Sequence, residues 1–216
     1  MNLRLRLVSA MVFAALLALP AAAQVPQLTP FSADMHMSTT HGSEGGRDIN
    51  GKMYVTQGHI RMDMDTGPHG ASILITNMAS QTTDMLMPQQ HMYMEFNANQ
   101  AMMAHRPGMA PNIKPYHDPS NPCAAEEGAT CKNMGVEQVN GRSCDHWQIT
   151  SKSGKVSNVW IDQKLHFPIK SVNEDSTWEL TNIKDGEPAA SLFEIPAGYH
   201  KMDMGQMMQG MHPPSQ

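Results

Sequence analysis

His59-Ile60-Arg61-Met62-Asp63-Met64-Asp65 alternates throughout: apolar groups stand at 60, 62 and 64, and charged ones at 61, 63 and 65. Successive side chains of an extended strand point to opposite faces, so as a strand this heptapeptide has one greasy face and one wet face. The same period of two continues outward. Met92, Met94 and Phe96 alternate with Tyr93 and Glu95, Trp147 and Ile149 with His146 and Gln148, and Trp178 and Leu180 with Thr177, Glu179 and Thr181. Turn residues recur about every ten positions, the pattern of an antiparallel all-β domain. Strands are expected at 31–38, 52–56, 59–65, 72–77, 82–87 and 91–96. A second set is expected at 133–139, 143–150, 156–162, 168–174, 177–183 and 192–195. Asn140-Gly141, Ser153-Gly154 and Asp185-Gly186 read as hairpin turns, and the order suggests a meander in which each strand pairs with its sequence neighbour.

Between the two sets, 97–130 holds five of the fifteen prolines and no sustained period, although 98–105 could form a helical turn or two. So long a stretch without regular structure inside a domain suggests a lid over one end of the sheet, the alternative being a passive loop.

A sheet with one apolar face cannot leave it in water, because contiguous apolar patches above a few hundred Å² are rare on soluble monomers. It must curl, take a cover or hold a ligand. The chain has 21 Met against 5 Phe. An unbranched thioether adapts to irregular shapes and is common on promiscuous binding surfaces. A wall of Met53, Met62, Met64, Met85, Met87, Met92 and Met94, with Phe96, Trp147 and Trp178, is therefore the candidate ligand-binding surface. The alternative for each of these residues is a simple core filler.

Composition excludes other classes. Fifteen Lys+Arg against 20 Asp+Glu leave no basic excess for a phosphate backbone, so nucleic acid is not an expected partner. Hydrophobic residues at 40% against 16% charged argue against wholesale disorder. Arg4 and Arg6 followed by the apolar run 7–19 and Pro20-Ala21-Ala22-Ala23 read as a signal peptide over 1–23, with a mature start near Gln24 and a linker over 24–30. The run is shorter than the roughly 20 residues of a membrane span. No cysteine stands at the cleavage site to carry a lipid anchor. The expectation is a periplasmic or secreted protein that does not span the membrane.

Export places Cys123, Cys131 and Cys144 where thiols pair, and three is odd. Cys123 and Cys131 bracket a short polar segment and are the first choice for a disulfide. If Asn140-Gly141 is a two-residue turn, Cys144 lies opposite Glu137, which makes Cys131 with Cys144 less natural.

The thioethers also suggest soft-metal chemistry, since Met favours Cu(I) and Ag(I). Met202, Met204, Met207, Met208, Met211 and His212 sit in a low-complexity tail (205–216 flexible, Met-rich) long enough to wrap a cation. A disordered terminus or an oxidant sink are the competing readings. Catalysis has no support: no H-E-x-x-H, G-x-S-x-G or P-loop string occurs, and no two histidines stand two or four apart. Gly42-Ser43-Glu44-Gly45-Gly46 opens no helix and is no phosphate cradle. His117-Asp118 is the pair to inspect first. A non-enzyme is expected.

Trp160-Ile161-Asp162, Phe167-Pro168-Ile169-Lys170 and Phe193-Glu194-Ile195-Pro196-Ala197-Gly198-Tyr199, with Gly51-Lys52-Met53-Tyr54 and Arg61-Met62-Asp63, resemble the LolA/LolB lipoprotein-carrier superfamily. More closely, the chain is similar to that superfamily's exported relatives of the domain-of-unknown-function 4412 type. The resemblance runs over roughly 31–204. It implies a curved, incompletely closed antiparallel sheet, a half-barrel whose concave face holds a hydrophobic ligand under a loop or short-helix cover. The chain departs from the carriers in lacking long helices and in its methionine content. The reading is an exported all-β protein, with minor helix, that holds an acyl-like small molecule or a lipidated partner. The alternative is a periplasmic Cu(I) or Ag(I) binder using the tail.

Overall fold

The computed structural model describes residues 28–40, 46–65, 67, 70–97, 122–125 and 127–202. Twelve strands run through them: β1 (Phe31–Thr39), β2 (Arg47–Val55), β3 (His59–Asp65), β4 (Ala71–Asn77), β5 (Thr82–Met87), β6 (Met92–Asn97), β7 (Thr130–Val139), β8 (Arg142–Thr150), β9 (Val156–Asp162), β10 (Phe167–Asn173), β11 (Ser176–Asp185) and β12 (His200–Lys201). Helix among the described residues is of the 3-10 kind, as at Pro88–Gln90, Pro122–Ala125 and Ala190–Phe193, and no helix among them is long and apolar enough to cross a membrane. The signal-peptide assignment, the linker as far as residue 27, most of the 97–130 loop with His117-Asp118, the Gly42–Gly46 stretch but for Gly46, and the tail beyond Met202 lie outside the described residues.

All twelve strands join one sheet in the order β12-β6-β5-β4-β3-β2-β1-β11-β10-β9-β8-β7, open at both edges. Every pairing is antiparallel except that of β12 with β6. The expected meander therefore holds in two halves, β1 to β6 and β7 to β11, and is corrected at their junctions. Strands β6 and β7 are not neighbours. The halves are joined instead by β1 and β11, in register from Phe31↔Asp185 to Thr39↔Ser176.

Local chemistry explains the tight connections. Asn140 and Gly141 both take positive φ, 52° and 76°, as a type I′ turn needs, and they place Val139 opposite Arg142. The side-chain oxygens of Asn77 and Asn173 accept backbone N–H groups two and three residues on, which closes the β4–β5 and β10–β11 turns. At Gly51 in β2 an added Cβ would lie 2.1 Å from the Asp63 carbonyl oxygen, so only glycine permits this approach of β2 to β3. Ser153-Gly154 turns β8 into β9 as expected, with Gly154 N–H donating to Ser151. Asp185-Gly186 does not make a hairpin. The Gly186 N–H donates instead to Pro30 at the root of β1. The expected strand at 192–195 is a 3-10 turn, with the Leu192 N–H donating to Ala189.

The main core gathers Phe31, Met35, Met53, Val55, Met62, Leu165, Phe167, Ile169 and Leu180 among others, with the Phe31 and Phe167 rings edge to face at 5.3 Å. A second, smaller cluster of Ile149, Val159 and Ile161 takes in Trp147, Cys123 and Cys131. Between β11 and β12 the segment 186–199 runs to the far edge of the sheet and lies against β3 on the way. The Arg61 Nη1 donates to the Leu192 carbonyl at 2.5 Å, the His59 and Phe193 rings lie 5.6 Å apart, and Tyr199 meets His91 at 5.7 Å. This strap sits on the face opposite Met62, because neighbouring residues of a strand alternate. Beneath that face Leu86 (0% exposed) and Ile75 (4%) are as buried as the methionines. The expectation of one greasy and one wet face is thus corrected for this half of the sheet: both faces bury apolar groups.

Candidate ligand-binding face

Directly opposed residues of an antiparallel pair share a face. By that rule Ala33, Met53, Met62, Leu74, Met85 and Met94 form one row across six strands, β1 to β6. Four of the six are methionines. Phe31, Val55, Ile60, Thr76, Thr83 and Phe96 form the next row of the same face, its Thr76 and Thr83 hydroxyls 3.0 Å apart. On the other side Met35, Gly51, Met64 and Ser72 line up, and Met87 pairs with Met92.

The ten candidates divide by depth. Met53, Met62 and Met64 belong to the main core, with Met85 and Trp178 packed against it. Met94 is buried outside both clusters. Met87, Met92, Phe96 and Trp147 are half-buried, Trp147 against the second cluster. Pleat parity thus places all eight candidates on β2 to β6 on one face, while burial separates core members from a rim at β5 and β6.

Sequence reasoning missed a polar constellation in the other half of the sheet. Glu137 of β7 accepts the Trp160 indole N–H at 2.8 Å through Oε2 and the His146 Nδ1–H at 2.8 Å through Oε1. These two donors, the indole first, hold the Glu137 carboxyl below the usual range. The imidazole stacks on the Trp160 ring at 4.4 Å, and its Nε2 lies 3.0 Å from Oδ1 of Asn158. Lys170 stands over the other side of that ring, 5.4 Å from its centroid. With both nitrogens engaged, His146 holds Trp160 in place and has no free nitrogen for a substrate. The W-I-D motif had pointed to this region without indicating its partners.

Asp162 of the same motif is buried and ion-paired with Arg142, and its Oδ1 accepts the backbone N–H groups of Lys164 and Leu165 at 2.8 and 2.7 Å. Arg142 also bridges to Asp185 at 3.1 Å, and Asp185 pairs with Lys164. The Lys164 ammonium foremost, and Arg142 after it, hold the Asp185 carboxyl low. This network ties the β7–β8 turn and the β9–β10 turn to the end of β11. A polar cleft of about 420 Å³ lies beside it, lined by Asn140, Gly141, Arg142, Thr181, Asn182 and Ile183.

Cys123 and Cys131 form the disulfide, and Cys144 is the free, buried thiol opposite Glu137. Burial, with the Asp162 charge adding to it, pushes that thiol up to about 11, which makes it a poor nucleophile. Of the tail, Met202 is described: its backbone N–H donates to Tyr93 at 2.8 Å, continuing the β12–β6 ladder. Met204, Met207, Met208, Met211 and His212 lie outside the described residues. Among those described, no three His, Cys, Asp or Glu side chains gather as a metal site.

The family model described as a domain of unknown function, DUF4412, matches residues 31–166. No curated protein matches the sequence. Among solved structures, an uncharacterized conserved protein from Thermus thermophilus superposes with a TM-score of 0.51 at 8% identity, over 81% of this chain and 90% of that one. MucB, also known in complex with MucA from Pseudomonas aeruginosa, gives 0.50 at 13% identity over 81% of this chain, which spans 60% of the MucB chain. A LolA superfamily protein from Nitrosomonas europaea gives 0.40 at 8% identity, over 78% of this chain and 91% of that one. By its family match and its open, antiparallel-dominated sheet, the chain belongs to the DUF4412 family and has a LolA-like all-β fold.

Proposed function

We propose that this protein is an exported binding protein of carrier type, not an enzyme, which holds a hydrophobic, acyl-like small molecule or a lipidated partner on the methionine-bearing face of the sheet. The observation that carries the reading is the row Met53, Met62, Met85 and Met94, four thioethers on one face with Met87, Met92 and Phe96 half-buried beside them. Flexible thioethers over a packed floor accept guests of varied shape at little cost in strain. The floor residues Met53, Met62 and Met64 set the shape, and the rim at β5 and β6 makes the contact. Purified protein should bind an apolar fluorescent probe such as N-phenyl-1-naphthylamine with saturation. Met85→Asp should weaken it at least about tenfold, because a carboxylate in an apolar site loses its hydration. A linear, non-saturating titration removes the reading.

The Met- and His-rich tail supports a second reading, Cu(I) or Ag(I) binding by Met202, Met204, Met207, Met208, Met211 and His212. Deleting 203–216 should then abolish competition with a chromogenic Cu(I) chelator. An unchanged titration excludes the tail.

A further inference from the structure

Trp178 of β11, Ser171 of β10, Val159 of β9 and Trp147 of β8 are successive partners across the sheet, so their side chains share one face. The two tryptophans stand three strand spacings apart, roughly 14 Å along the sheet. Met37 of β1 opposes Trp178, and Met37 and Ala33 lie on the same side of β1. The tryptophan row therefore shares a face with the row that runs from Ala33 to Met94, four residues away along β1, where Met37 pairs with Ile49.

Both indole Nε1 atoms are buried, and neither has a hydrogen-bond partner among the described residues. An indole N–H only donates, and when buried it nearly always finds an acceptor. Two orphans on one row of the face already assigned to a ligand thus share a single deficit, an oxygen to accept from them. Trp160 provides the contrast. It lies on the opposite face of β9 from Val159, and its N–H is satisfied by Glu137 at 2.8 Å.

A guest of pure hydrocarbon would leave both donors as they are. The row Met37, Trp178, Ser171, Val159, Trp147 and Asn133 contains no Lys or Arg to balance a carboxylate. Neutral donors without a cation suit an uncharged acceptor. Resting on the binding reading above, we infer that the ligand is an acyl ester whose carbonyl oxygens accept hydrogen bonds from Trp147 and Trp178 while its chain extends toward the methionine rows. Both tryptophans are half-buried, so each keeps part of its surface open to a guest.

The three tryptophans make the test internal. The full-length protein, 15N-labelled at the indoles, is titrated separately with 1,2-dioctanoyl glycerol, whose two ester carbonyls match the two donors, with octanoate, and with N-phenyl-1-naphthylamine, which has no acyl oxygen. The ester should move the indole N–H resonances of Trp147 and Trp178 downfield and leave that of Trp160 in place. Replacing both tryptophans (Trp147→Phe with Trp178→Phe) should weaken the ester about tenfold or more and change the naphthylamine affinity less than about twofold, whereas Trp160→Phe should leave ester affinity unaltered. Saturation by the naphthylamine without the ester, equal loss of both ligands in the double variant, or octanoate binding more tightly than the ester overturns this inference and leaves apolar binding standing. Saturation by none of the three overturns both.

Discussion

Asp84 sits on β5 between Ile75 and Glu95, on the strap side of the sheet, with a buried Oδ1 that has no hydrogen-bond partner among the described residues. Burial raises its pKa above the ordinary carboxyl value, and the Glu95 charge pushes the same way while Lys201 opposes it. A carboxyl whose folded pKa is raised favours the native state while protonated, and that contribution is lost as pH rises through the folded pKa. At neutral pH the charged form therefore works against the fold. Asp84→Asn should raise the melting temperature at pH 7 by about 1–2 °C, allowing for partial solvent screening, and leave it unchanged near pH 3. Thermal unfolding of both proteins across that range checks the sign. An equal shift at both pH values would mean that the residue acts through shape and not charge.

The β9–β10 turn and the β7–β8 turn meet at Asp162 and Arg142. Asp162→Asn removes the buried carboxylate and leaves Arg142 paired with Asp185 alone, so it should cost about 1.5–3 kcal/mol by urea denaturation. A second cost is the weakened acceptor for the Lys164 and Leu165 amides. Much of the element-level structure was legible in advance, because it rests on local rules. The alternation of residues 59–65 gave β3 to the residue, and Asn140-Gly141 fixed the register that puts Cys144 opposite Glu137. What escaped was set by distant partners. Arg47 to Asn50 begin β2 with almost no apolar signal, and their strand is imposed by pairing with β1. Leu86 stands between Met85 and Met87 and so faces away from the methionine row. Its burial accompanies a strap more than a hundred residues later in the chain, which no period in β5 could report. The unpartnered indoles are of the same kind: the sequence marked Trp147 and Trp178 as face residues, but a missing acceptor is a property of the packed molecule.

At the scale of the whole sheet, the strap is what joins the last strand to the first half. If it holds β3 through Phe193 and Arg61, loosening it should be felt at a distance. Phe193→Ala should accelerate amide exchange in β5 and β6 while leaving β8 to β10 protected. Uniform acceleration across the sheet would instead mean that the substitution destabilises the molecule globally. The two open edges differ as well. β12 is two residues long, whereas β7 runs for ten and exposes Met134 (43%) and Val136 (60%) around a bulge at Asn133 to Gly135. A bulge interrupts the flat row of backbone groups that another chain would need, so β7 is shielded by its irregularity.

The seam between β1 and β11 has a consequence for biogenesis. A ribosome delivers Phe31 early, yet its partner Asp185 comes more than 150 residues afterward, and Met92 and Tyr93 wait more than 100 residues for His200 and Lys201. Contacts so remote in sequence make folding slow. For a polypeptide threaded through a translocation pore as proposed, this topology postpones the finished sheet until nearly all of the chain has been made, which keeps the precursor pliable for passage.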